Sequence, residues 1–211
     1  MYQPPHFRET DLAVLHAQIR ATTLGLLISA GPDGVIANPI PFVLADEGDK
    51  GVLRAHLARA NPQIAALRAD PAVLVVFQGV NGYITPSWYA QKAIDHKVVP
   101  TWNYAIVQAR GRARLIEERD WLLAQIGALT EAHEGPRARP WSVADAPESY
   151  IASQLKGIVG IEIVVETIEG KFKASQNRPA ADRAGVVEGL EAEGDARALA
   201  MADMVKARGG L

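Results

Sequence analysis

The stretch Thr22-Thr-Leu-Gly-Leu-Leu-Ile-Ser-Ala30-Gly-Pro-Asp-Gly34-Val-Ile-Ala-Asn-Pro-Ile-Pro-Phe-Val-Leu44 decides the fold, because it sets two apolar, β-prone runs on either side of a four-residue turn signal, Gly31-Pro-Asp-Gly34. Such a pattern reads as a hairpin. Prolines 39 and 41 cannot donate to a ladder, so the second run is predicted to be an edge, a bulge or an irregular segment. In that segment, Ala37-Asn38-Pro39-Ile40-Pro41 either exposes backbone groups to a ligand or simply protects an edge.

Working outward, alternation and apolar runs predict further strands over residues 51–57, 72–78, 102–116 and 158–168, with a turn near Gly79-Val80-Asn81-Gly82. Helical spacing predicts helices over 10–20, 61–68 and 117–133. Short strands with few crossover helices between them imply an α+β protein dominated by an antiparallel sheet that curls into a barrel. On the long strand, Trp102, Tyr104, Ile106, Gln108, Arg110, Arg112 and Arg114 recur every second position and share one face, aromatic at one end and cationic at the other. That face is a binding surface or subunit interface, or else half core and half solvated. Beyond Arg178 the composition turns rich in Ala, Glu and Gly and predicts two short helices, 180–193 and 195–208. The expected organisation is a barrel domain over 1–178 and a helical extension over 179–211, packed on the barrel or on a partner.

Composition bounds the chemistry. The chain has 211 residues, 48% hydrophobic and 22% charged, enough for a proper core. A net charge of -2 gives no global attraction for polyanions, and neither does a pI near 6.2, so any DNA contact must be local or indirect. Without cysteine there is no disulfide, thiolate-bound metal or cysteine nucleophile, and the five histidines show no HExxH-type spacing, so no metal site is expected. The opening residues lack the pattern of a secretory signal, and no apolar run approaches the roughly 18 residues of a membrane helix. A cytoplasmic protein with no membrane contact is expected. Sequence fingerprints of a Rossmann site, a P-loop and a nucleophile elbow are all missing.

Two segments carry polar density. Gly170-Lys-Phe-Lys-Ala-Ser-Gln-Asn-Arg178 places three cations and three hydrogen-bonding side chains directly after an apolar strand pattern. Such a set suits an anion with a polar tail, or a solvated connection. In Arg54-Ala-His56-Leu-Ala-Arg59-Ala-Asn61-Pro62-Gln63 a strand runs into a helix start, with Asn61 as N-cap and Pro62 at the first helical position. Free N–H groups there, with Arg59 beside them, would bind a phosphate; simple capping is the other reading.

Several longer motifs resemble one family: Met1-Tyr2-x-Pro4-x-His6-Phe7, His56-Leu-Ala-Arg-Ala-Asn-Pro62, Phe77-Gln-Gly79 to Tyr83-Ile-x-Pro-Ser-Trp-Tyr89, Val99-Pro-Thr-Trp-Asn-Tyr104 and Gly170-Lys-Phe-Lys-x-Ser-Gln-Asn177. Together they resemble the PaiB-type FMN-binding negative transcriptional regulators, from Met1 to about Arg178. The resemblance implies a split β-barrel of the pyridoxamine-phosphate-oxidase-like kind, a homodimer, and FMN in a groove between subunits. On that basis Arg59, Asn61 and Gln63 are expected at the phosphate, and His56 and Asn38 at the ribityl chain or ring. Lys171, Lys173, Gln176 and Asn177 are expected to arrive from the second subunit, where a lysine near the ring would favour anionic reduced flavin. Trp102 either covers a ring face or fills core. The expected function is an FMN-binding dimer acting in negative transcriptional regulation, with Arg197, Lys206 and Arg208 as a basic patch for DNA. A flavin-dependent oxidoreductase acting on a small molecule is the alternative.

Overall fold

The computed structural model describes residues 1–31 and 34–211, so the Pro32-Asp33 centre of the expected turn lies outside the described residues. In chain order the elements are β1 (Arg8–Glu9), α1 (Leu12–Thr22), β2 (Leu24–Gly31), β3 (Gly34–Pro41), β4 (Val43–Ala45), β5 (Val52–Ala58), α2 (Gln63–Ala69), β6 (Ala72–Ile84), α3 (Lys92–Asp95), β7 (Thr101–Ile116), α4 (Arg119–Glu134), α5 (Glu148–Lys156), β8 (Ile158–Lys173), α6 (Ala180–Glu193) and α7 (Ala196–Gly209). The main path of the sheet runs β3-β2-β6-β7-β8-β5-β4, and β1 adds to β8. The pairings β2–β3, β2–β6, β4–β5, β5–β8 and β1–β8 are antiparallel.

Two compact units divide the chain. One comprises Met1–Leu15, Gln78–Val107 and Glu169–Leu211; the other comprises His16–Phe77 and Gln108–Ile168. Within the second unit, β3 and β4 stand at opposite ends of the strand order yet are separated in sequence by Phe42 alone. A sheet whose two edges are joined by one residue must curl until they meet, which makes it a split barrel. Phe42 is buried at that junction with its ring edge-on to Phe77, centroids 5.8 Å apart. Leu27, Leu53, Val75, Ile161 and Ile163 fill the rest of the interior from alternate strand positions.

The prolines of β3 fall on an edge strand, where their missing donors face no partner. Of the alternatives the prolines allow, the protected edge is the one found: β3 pairs with β2 in unbroken register from Leu24 opposite Pro41 to Gly31 opposite Gly34. One expectation is corrected. No turn forms at Gly79–Gly82, because β6 continues through these residues to Ile84, and neither Gly79 nor Gly82 adopts a positive φ. Likewise β8 continues past Ile168 to Lys173, so Gly170-Lys-Phe-Lys is strand.

In the first unit α6 and α7 form a helical hairpin. Gly194, at φ 72°, ends α6, and Asp195 starts α7 by accepting the Ala198 N–H at 2.8 Å. Val186, Leu190, Met201 and Val205 of the hairpin pack with Ile84, Tyr89 and Ala174 into a core.

Candidate functional site

The polar segment of the barrel unit is largely satisfied from within. The Asn61 side chain accepts the Gln63 N–H at 2.9 Å, and the Ile64 N–H bonds the Asn61 carbonyl, so Asn61 turns the chain into α2, but the N-cap position falls on Pro62, one residue later than expected. Gln63 is fully buried. Its amide donates to the Leu27 carbonyl and the Ser29 hydroxyl, each at 3.1 Å, and accepts from Asn38 at 2.9 Å, which ties α2 to the β2–β3 hairpin. His56, half-buried on β5, places Nδ1 2.8 Å from Oε1 of Gln125 on α4. The Arg59 guanidinium donates to Glu117 at 2.7 Å, to the Lys156 carbonyl at 3.0 Å and to the Ile158 carbonyl at 3.2 Å. Arg68 shares the same Glu117 carboxylate, and the Arg59 hydrogen bond and charge hold that carboxyl below its usual range. Two guanidiniums on one carboxylate leave a positive charge in excess.

The other polar segment, in the first unit, is differently arranged. Lys171 and Lys173 stand two apart on β8 and therefore share a face. Lys171 is only 8% exposed, yet among the described residues no carboxylate lies within ion-pair distance of it. Its ammonium sits 5.3 Å from the Tyr104 ring centre and 5.5 Å from that of Tyr2. Lys173 bonds the Trp102 carbonyl at 2.7 Å and the Thr101 hydroxyl. Burial, and then the neighbouring Lys171 and Arg178, push its ammonium below the usual lysine range.

The chain then turns through Ser175, a non-glycine residue in the left-handed region at φ 61°. Gln176 closes the turn, accepting the Ala174 N–H at 2.7 Å and donating to the Phe172 carbonyl at 2.6 Å. Asn177 is exposed, and Arg178 stacks over Tyr89 at 4.5 Å. Beneath the turn, fully buried Asn103 donates to the Ser175 hydroxyl at 2.9 Å, while its carbonyl oxygen has no partner among the described residues. Trp102 is 53% exposed, edge-on to Tyr83 at 6.0 Å. Unpaired cations and aromatic faces form a surface suited to a flat, anionic ligand.

The sequence reading named Lys171, Lys173 and Trp102 and put Tyr104 on the Trp102 face, but gave no site role to Tyr2 or Thr101, which meet the lysines. The two-residue spacing of Trp102 and Tyr104 was visible, and extending the β8 alternation to Lys173 would have revealed the second half. Gln125 left no local signal. Of the basic patch, Lys206 pairs with Glu191 at 2.5 Å and Arg208 with Glu9, while Arg197 has no carboxylate partner among the described residues. No helix among the described residues is long and apolar enough to cross a membrane.

Residues 1–167 match the family model described as "Putative FMN-binding domain". A protein of Emericella nidulans is 36% identical over 99% of this chain and 98% of its own length. The "Protease synthase and sporulation protein PAI 2" of Bacillus subtilis is 32% identical over 98% of this chain and 97% of its own length. Among solved structures, a conserved hypothetical protein of Mycobacterium tuberculosis superposes with a TM-score of 0.61 at 17% identity, covering 85% of this chain and 94% of that one, a likeness of fold alone. This chain therefore belongs to the PaiB-type family of FMN-binding domains.

Proposed function

We propose that this protein is a cytoplasmic homodimer that binds FMN and acts in negative transcriptional regulation. The observation that carries the flavin reading is Lys171, a buried cation with no carboxylate partner, flanked by Lys173 and two tyrosine rings. A lysine enclosed without an acid invites a ligand anion, and Trp102, half exposed and two positions from Tyr104 on β7, offers an aromatic face. These residues fit the group. Flavin supplies hydride chemistry when bound, and the lysines would stabilise negative charge on its reduced ring.

Dimerisation is supported by the solvent face of the barrel unit. Leu24, Leu26 and Ile28 of β2 stand opposite Pro41, Pro39 and Ala37 of β3, and Leu26 and Ile28 also face Val76 and Leu74 of β6. Every one of these side chains is apolar and none is fully buried. A contiguous apolar face of this kind marks an interface, and a second copy is its proposed occupant. The regulatory role rests on the resemblance of the motifs to PaiB-type regulators; the printed name of the Bacillus relative speaks of protease synthesis and sporulation. Because Lys206 and Arg208 are already neutralised by carboxylates, regulation by direct DNA contact through α7 would rest on Arg197 alone.

The test is the visible absorption spectrum of purified protein, the mass of any released ligand, and titration of stripped protein with FMN. Replacing Lys171 with Met removes a charge-assisted contact of about 1.5–3 kcal/mol, so FMN affinity should fall about 10- to 150-fold. Unchanged affinity would remove Lys171 from the site, and no uptake of any flavin would remove the function.

A further inference from the structure

The geometry points to a second ligand site, a groove between α4 and α5 that takes a single-chain fatty carboxylate. The inference goes beyond the flavin reading and shares no residue with the Lys171 surface. The groove lies within the second unit and has a volume of about 690 Å³. Leu123 of α4, Val143 and Ala146 of the connection to α5, and Ile151 of α5 form its walls. All four are half-buried, so apolar surface stands open to water. The space exists because Gly127 of α4 brings no side chain into it; a Cβ added there meets nothing within 4 Å. A cavity of this size, with apolar walls and few polar groups, is the usual form of a small-molecule site.

Helix spacing sets the shape of the ligand. Arg119, Leu123 and Gly127 stand four apart and share one face of α4, which gives a stripe about 12 Å long with a guanidinium at its end. A medium-length alkyl chain has that reach. Among the described residues, Arg119 and Glu148 are the only charged side chains that line the groove. Their pairing is loose, at 3.7 Å, and the other carboxylate beside Arg119, that of Asp120, stands at 3.4 Å. The two acids are 91% and 96% exposed, whereas Arg119 is 54% exposed. Exposed pairs of this kind contribute little, so a ligand carboxylate takes the guanidinium while Glu148 turns out to water. Two parallel N–H···O bonds then hold the polar end, and the chain covers Leu123, Gly127 and Ile151. A cationic head would meet Arg119 at the same end, so the head is an anion.

The experiment is isothermal titration of the full chain with decanoate below its micelle concentration, and with 1-decanol as the uncharged counterpart. Decanoate should bind saturably at one site per chain. Gly127→Leu fills the groove from a position with open space around it, so the variant should keep its circular dichroism spectrum and lose both ligands. Arg119→Gln should weaken decanoate about 2- to 5-fold and leave decanol unchanged. No saturable binding of decanoate, binding indifferent to Gly127→Leu, or an Arg119→Gln effect that is nil or equal for both ligands would overturn the proposal. So would conversion of a dimer to a monomer by Gly127→Leu in sedimentation velocity, because the groove would then be filled by a second copy. Flavin content is read from the visible spectrum of the same samples, so failure of the groove and failure of the flavin reading are distinguishable.

Discussion

Gly111 of β7 is where the barrel is least tolerant of a single methyl group. A Cβ added there would lie 2.2 Å from the Val164 carbonyl oxygen and 2.9 Å from Cγ2 of Ile163. The isoleucine can turn away, but the oxygen belongs to the backbone of β8, the neighbouring strand, so relief requires the two strands to move apart. Overpacking a rigid site usually costs about 1–3 kcal/mol, and a backbone obstacle puts Gly111→Ala near the upper end. In a chain of this length each kcal/mol lowers Tm by about 2–4 °C, so a fall of about 6–12 °C is expected. Gly127→Ala is the internal control: it lies inside α4 with nothing within 4 Å of an added Cβ. Removing a helical glycine should stabilise by about 0.5–1 kcal/mol and raise Tm by about 1–4 °C. Thermal unfolding followed by far-ultraviolet circular dichroism compares the three proteins directly. If Gly111→Ala melts with the parent, the close approach of β7 to β8 is wrong.

Gln63→Leu keeps the volume but strands the Asn38 amide, the Ser29 hydroxyl and the Leu27 carbonyl; urea unfolding should show a loss of about 2–4 kcal/mol, and an unchanged midpoint would mean that Gln63 does not tie α2 to the hairpin. Burial opposes ionisation of Glu9, but the Arg208 hydrogen bond, with help from the Asp11 and Thr10 N–H groups, outweighs it and lowers the pKa below 4.5. A carboxylate with a depressed pKa stabilises the fold above its unfolded value and ceases to do so as pH falls through the folded one. The stability gap between the parent and Glu9→Gln should therefore close below pH 4.5, and a gap that widens on acidification would contradict the pairing. Leu26→Glu places a charge in the middle of the apolar β2 face and should convert dimer to monomer in sedimentation velocity; a parent that sediments as a monomer defeats the interface.

Much of the architecture was legible because its signals are local. The Gly31–Gly34 turn signal between apolar runs gave the hairpin, and the stripe at Val186, Val187 and Leu190 gave α6 at its observed bounds. The misplaced strand ends came with glycine. Gly79, Gly82 and Gly170 read as punctuation, yet each lies inside a strand. At Gly170 the absence of a side chain serves packing: an added Cβ would stand 2.1 Å from Leu15. Ending β8 early hid the fact that Lys171 and Lys173 alternate with buried Phe172 and therefore project together.

The two polar segments looked equivalent in sequence and are not equivalent in the structure, for a reason that no local pattern contains. Arg59 owes its neutralisation to Glu117, and its remaining donors to carbonyls at Lys156 and Ile158, all contributed by distant chain. His56 meets Gln125 in the same way. Lys171, equally remote from most of its surroundings in sequence, meets the rings of Tyr2 and Tyr104 and, among the described residues, no acid. In a chain with slightly more acidic than basic side chains, a buried lysine left without a carboxylate is not explained by a shortage of acids. The fold withholds them from that face, and a cation kept unpaired in a low-dielectric site is stable only when a partner from outside the chain completes it or when it gives up its proton.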